Sequence, residues 1–93
     1  KMSLIISETK ETYYLNGTIN SATSNYLKNH FSLIQEVKEE LTINIDGVIN
    51  IDSYGVSILK DLYKNAIHNN SKLWIVGNGC KDIYNELKFS DII

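Results

Sequence analysis

Leu41-Thr42-Ile43-Asn44-Ile45-Asp46, followed after a short gap by Ile51-Asp52-Ser53-Tyr54-Gly55-Val56, is the stretch that decides the fold. Leu41, Ile43 and Ile45 alternate with polar residues, which is the period of a strand. Val56, Leu59, Leu62, Tyr63, Ala66 and Ile67 then recur at helical spacing. Between the two periods stand Asp52 and Ser53, residue types that cap helix N-termini. A serine at such a handover sits on a rigid turn with its hydroxyl outward, in front of unpaired amides and a dipole that favour negative charge. It can serve as a plain cap, or as a place where a phosphate is added and read.

Working upstream, Leu4 to Ile6 reads as a short strand and Thr12 to Leu15 as a second, with Asn16-Gly17 as a turn or bulge after it. Ser21 or Ser24 is expected to cap a helix carrying Tyr26, Leu27, His30, Leu33, Ile34 and Val37 on one face, with Lys38, Glu39 and Glu40 as its solvated end. Leu41 to Asp46 is the third strand, followed by a loop through Gly47. Working downstream, the helix from about Ser53 runs to His68. Asn69-Asn70 then supplies residues that tolerate the left-handed conformation needed to stop it. Leu73 to Val76 is a near-continuous apolar run, expected of a strand covered on both faces. Gly77-Asn78-Gly79 turns the chain into a last helix with Ile83, Leu87 and Phe89 inward. Two strands, then helix and strand in alternation, give an α/β sandwich with one mixed sheet. The crossover from the third strand through the Ser53 helix is long enough to make strands three and four parallel.

Ninety-three residues make one domain. A chain of this size buries roughly 60–65% of its unfolded surface, enough for a single modest core. Its 43% hydrophobic and 22% charged residues are those of an ordinary globule. The net charge is -2, and all nine cations are lysines. That argues against nucleic-acid binding, which rests on clustered positive charge and usually on forked arginines. It also removes the bidentate side chain most used to hold phosphate. Cys80 is the sole cysteine, so neither an internal disulfide nor a thiolate cluster is available, in keeping with a reducing compartment. No stretch is apolar and long enough to cross a membrane, and no signal peptide is visible. Lys1 ahead of Met2 is expected to be a remnant of expression.

No constellation of catalytic residues stands out. Ser53 and Asp52 lack a neighbouring histidine and a G-x-S-x-G elbow. Gly77-Asn78-Gly79 lies between strand and helix, but no Gly-Lys-Ser/Thr follows and a third glycine is missing, so a plain turn is favoured. His30 and His68 lie on separate helices without partners at ligand spacing. Cys80 reads as a small residue at a helix start. Tyr54 has two readings: a contact residue for a partner, or a ring folded back over the loop. Gly55 is expected to let a neighbouring backbone come close.

Ile43-Asn44-Ile45-Asp46, then Ile51-Asp52-Ser53-Tyr54-Gly55-Val56 and the helix through Leu59 and Tyr63, resemble the central motif of the STAS domain, the family of sulfate transporters and anti-sigma factor antagonists. The resemblance covers nearly the whole chain. Leu15-Asn16-Gly17-Thr18-Ile19-Asn20 is similar to the family's second strand and the turn into its first helix. Leu73 to Val76 is similar to the strand after the central helix, and Ile83, Leu87, Ser90, Ile92 and Ile93 to the closing segment. The resemblance implies a single domain over residues 2–93, with a mixed four- to five-stranded sheet and helices packed mainly on one face. It implies a bacterial, cytoplasmic, non-enzymatic regulator of transcription without a cofactor, which binds no nucleic acid and does not insert into membranes. Ser53 matches the position phosphorylated in anti-sigma factor antagonists. There the modifying partner is both anti-sigma factor and serine kinase, and a serine phosphatase reverses the mark. The implied partner-binding set is Asp52, Ser53, Tyr54, Gly55, Asn20 and Ser57. The alternative within the same family is a non-phosphorylated interaction module: a scaffold, a lipid-transport accessory, or the cytoplasmic regulatory domain of an anion transporter. Tyr54 stands where antagonists usually carry a second small hydroxyl residue, and Asn20 where the family usually has an aspartate. The chain ends at Ile93, short of the terminal helix of many members, as expected of a short member or a trimmed domain.

Overall fold

Side-chain alternation along the middle of the chain builds the sheet. The computed structural model describes residues 3–79. Its elements run β1 (Leu4–Thr9), β2 (Thr12–Ile19), α1 (Ser24–Gln35), β3 (Glu40–Ile51), α2 (Ser53–His68) and β4 (Lys72–Val76). The strands form one sheet in the order β1-β2-β3-β4. β1 is antiparallel to β2, whereas β2–β3 and β3–β4 are parallel, so the sheet is mixed. Each parallel pair is joined by a helix, as such crossovers require.

Leu4, Tyr13, Leu15, Leu41, Ile43, Ile45 and Leu73 point to the face that the helices cover. Leu27 and Phe31 of α1, and Val56, Leu59, Leu62 and Ala66 of α2, meet them there in one core. The residues between them in each strand face solvent. The last strand therefore departs from the sequence expectation: β4 is not covered on both faces. Trp74 is 50% exposed, and its indole N–H donates to Glu40 at 2.6 Å on the open side.

α1 also turns differently from the expected face. Ser24, Leu27, Phe31 and Gln35 are buried, whereas Tyr26, Leu33 and Val37 are exposed. The period-3.6 stripe runs through Phe31, whose ring stacks edge-on against Tyr13 at 5.3 Å. Thr23 is the N-cap residue rather than Ser21 or Ser24. Its hydroxyl donates to the Thr18 carbonyl instead of capping. The helix stops at Gln35, so Lys38 and Glu39 lie in the connection and Glu40 opens β3. α2 ends as expected, with Asn70 at φ +57°.

Both middle strands outrun their expected ends. β2 continues through Asn16-Gly17 to Ile19, and β3 through Gly47 to Ile51. Two irregularities make this possible. Tyr14 pairs with Asn44 but Asn16 with Gly47, and Gly17 pairs with Val48 but Thr18 with Asn50. Gly17, at φ +123°, lets the chain depart from regular pleat without ending the strand. The residues expected in the last helix, with Cys80, lie outside the described residues.

Candidate functional site

The pairing of Ile19 with Ile51 brings the ends of β2 and β3 side by side. The next amide, that of Asp52, donates to the Ile19 carbonyl at 3.1 Å and closes the sheet against the start of α2. Asp52 is extended, at φ -112° and ψ -173°, while its carbonyl already accepts the first helical bond from Val56 at 3.0 Å. Its carboxylate accepts from the Gly55 amide at 3.1 Å. Asp52 is thus the N-cap residue and Ser53 the first residue of the helix.

Ser53 is exposed at this handover. The amides of Gly55 and Val56 are engaged by Asp52; those of Ser53 and Tyr54 belong to the helix-start donors that have no intrahelical acceptor. The first turn carries no acidic residue, so within it the dipole field at Ser53 is opposed by the capping carboxylate alone. Tyr54 is 62% exposed and does not fold back as packing. Ser57 is exposed one turn further along, on the side of α2 shared with Ser53.

Gly55 is buried beneath the turn. A methyl group there would stand 2.6 Å from Cγ2 of Ile19 and from Cγ1 of Ile51, and 2.8 Å from the Ile19 carbonyl oxygen. This close approach is what seats the helix start on the sheet. Asn20 follows Ile19 and so lies at the same end of the sheet. Its side-chain oxygen accepts from the amides of Ala22 at 2.9 Å and Thr23 at 3.2 Å, which commits it to shaping the lead into α1. Asp52, Ser53, Tyr54 and Gly55 therefore share one turn, with Ser57 one turn along α2 and Asn20 on the adjacent connection.

Sequence reading missed Ile49. It is the residue skipped between Gly17–Val48 and Thr18–Asn50, and it is 76% exposed three positions before the cap. The signal was the β-branched run Val48-Ile49 with Ile51, which favours strand over loop.

Among the described residues no group of three or more His, Cys, Asp and Glu could hold a metal ion. His30 instead packs edge-on against Phe31 at 5.1 Å. Clefts lie elsewhere among the described residues. One, of about 660 Å³, is lined by the α1–β3 and α2–β4 connections, including Gln35, Lys38, Asn69 and Ser71. Another, of about 380 Å³, is lined by Tyr63, Ile67, Leu73 and Trp74. Burial pushes the pKa of the Tyr63 phenol up and so disfavours its ionisation, partly offset by a hydrogen bond from the Ile75 backbone. No helix among the described residues is long and apolar enough to cross a membrane.

The profile of the STAS domain matches residues 4–93. Among solved structures, the phosphorylated form of the Bacillus cell fate determinant SpoIIAA superposes with a TM-score of 0.75 at 16% identity, over 97% of this chain and 85% of that one. The unphosphorylated form of SpoIIAA, described as an anti-sigma factor antagonist, gives 0.73 at 15% identity, over 97% and 82%. An anti-sigma factor antagonist from Mycobacterium paratuberculosis gives 0.69 at 14% identity, over 99% and 80%. No curated protein is significantly similar in sequence.

Proposed function

The chain belongs to the STAS domain family, and from that premise we propose that it is an anti-sigma factor antagonist-like regulator, switched off by phosphorylation of Ser53. The observation that carries this reading is the exposed Ser53 at the first position of α2, on a turn held from below by Gly55 and from the side by Asp52. The described structure supports a hydroxyl presented for inspection by another protein. Solved structures of a similar fold include SpoIIAA in phosphorylated and unphosphorylated forms.

The partner is an anti-sigma factor that is also a serine kinase, and a serine phosphatase resets the switch. Phosphorylation adds roughly -1.5 to -2 charge and strong acceptor oxygens. The helix start accommodates that charge, although the Asp52 carboxylate opposes it. The domain itself changes little. The effect falls on the docked interface, where the phosphate must shed water and meets partner carboxylates. A loss of ~3 kcal/mol there weakens binding on the order of a hundredfold. Unmodified, the protein holds the anti-sigma factor and frees the sigma factor; modified, it releases its partner.

Ile49 and Tyr54, large and exposed on either side of Asp52, give this surface an apolar character. They support a partner pocket that accepts an aromatic ring. The test is retention of the partner from its native host by Ser53→Ala and Ser53→Asp, together with intact-mass analysis of the native protein. Retention by Ser53→Ala and loss by Ser53→Asp is the expected result. Equal retention by both, with no phosphate found, overturns the switch and leaves the non-phosphorylated interaction module as the reading.

A further inference from the structure

β1 is the outer strand of the sheet as described, and of the devices that usually blunt such an edge it carries only one inward-pointing charge, Glu8. It pairs with β2 without a bulge at all six positions, from Leu4–Gly17 to Thr9–Thr12. The chain has no proline. The strand reads Leu-Ile-Ile-Ser-Glu-Thr, with one charge, and that charge lies 3.8 Å from the Lys38 ammonium. Ile5 is 63% exposed. Backbone donors and acceptors that point away from β2 therefore line an edge that is regular, apolar at one end and nearly uncharged.

We propose that the outer edge of β1 pairs antiparallel with the same edge of a second copy, centred on Ile6, joining two sheets into one. The occupant and the register follow from the strand itself. Two copies pair face for face only when residues on the same side of the sheet stand opposite each other. Ile5 and Ser7 lie on the open face, while Leu4, Ile6 and Glu8 alternate with them toward the helices. Centred on Ile6, the pairing sets Ile6 against Ile6 and Ile5 against Ser7. Leu4 then faces Glu8, and no two carboxylates meet. Centred on Ser7, it would set Ile6 against Glu8; centred on Ile5, it would use fewer residues of the strand. The strand is its own best complement in the first of these registers. This proposal is independent of the reading of Ser53.

One ladder of this length buries less than an ordinary stable interface, so the expected dissociation constant lies between roughly 100 μM and 1 mM. Sedimentation equilibrium across about 20 μM to about 1 mM is the test, with two charge variants that touch only exposed positions. Ile5→Lys with Ser7→Lys sets like charges opposite each other twice across the two-fold axis. It should weaken association by about tenfold. Ile5→Lys with Ser7→Glu sets opposite charges against each other in this register alone, and should associate at least as well as the parent. A monomer at every concentration overturns the proposal. So does association that both variants leave unchanged, which would place the contact on another surface. Loss of association in both variants overturns the register centred on Ile6. Binding of an extended foreign peptide to β1 by a parent that stays monomeric would assign the edge to a different partner.

Discussion

Gly55 lies against Ile19 with no room for a single further carbon: a Cβ would stand 2.6 Å from the Ile19 Cγ2 atom. Ile19 is fully buried and Ile51, the second neighbour, nearly so. Neither can swing away without disturbing the core. Gly55→Ala should therefore destabilise the fold by about 1–3 kcal/mol, although alanine is the better helix former. Urea unfolding monitored by circular dichroism measures this. A stabilised Gly55→Ala protein would show that the helix start is not seated on the sheet by this contact.

Asp52 holds the other side of the same turn. Its carboxylate accepts the Gly55 amide, so Asp52→Ala should cost about 1 kcal/mol, and Asp52→Asn much less because the amide oxygen still caps. A difference between the two in unfolding midpoint separates capping from a role in partner contact. Asp52→Asn retains the cap while removing the charge.

Tyr54 contributes little to the fold, since its ring faces solvent. Tyr54→Ala should leave stability within about 0.5 kcal/mol of the parent. If the partner pocket accepts the ring, the same change should weaken partner binding by at least about tenfold. Paired thermal melts and titration calorimetry against the isolated partner read both quantities.

Gln35 donates its amide to the Leu62 carbonyl at 2.9 Å, yet its buried Oε1 has no hydrogen-bond partner among the described residues. The unpaired acceptor costs stability that the single bond only partly offsets. Gln35→Met, of similar shape and without either polar group, should be neutral or stabilising by up to about 1 kcal/mol. A loss of several kcal/mol would show that the amide organises the packing of α1 on α2.

Tyr13 and Tyr63 should give stability an alkaline dependence. Burial raises the Tyr13 phenol above its ordinary value near 10.0, and Glu8 adds to the rise while Lys38 opposes it; burial also raises Tyr63. The neutral forms are favoured in the folded state, so their contribution is full below the unfolded value of about pH 10. It is lost as pH climbs through the higher folded values. Stability should fall above pH ~10, and the fall should be shallower in Tyr13→Phe and Tyr63→Phe. Urea midpoints measured between about pH 8 and pH 11 test this sign.

The parts of this fold that could be read from sequence are those with an unbroken period. Leu41, Ile43 and Ile45 declare β3, and the spacing of Val56, Leu59, Leu62 and Ala66 declares α2, together with the cap between them. The errors have physical causes. In α1 several apolar residues compete for the inward stripe, and only tertiary packing against Tyr13 selects Phe31 over Leu33. Glycines at 17 and 47 look like turns, yet hydrogen bonding to neighbouring strands carries both chains straight through. The openness of the sheet beside Trp74 depends on what packs over it, which no local pattern encodes. At the site, the cap and the exposed serine were legible, whereas Ile49 was hidden by the assumed loop.

The unequal lengths of the two middle strands have a last consequence. From the Tyr14–Asn44 pair to the Ile19–Ile51 pair, β2 advances five residues and β3 seven. Those two surplus residues bow β3 out of the regular pleat shortly before Asp52. Without Ile49, the Thr18–Asn50 pair would follow Gly17–Val48 directly and Ile19–Ile51 would stay in place, so the cap would keep its seat and lose its exposed apolar neighbour. The length of this segment, more than the identity of its residues, thus works like slack in a cable: it is spent on a ridge beside the cap and not on moving the cap itself.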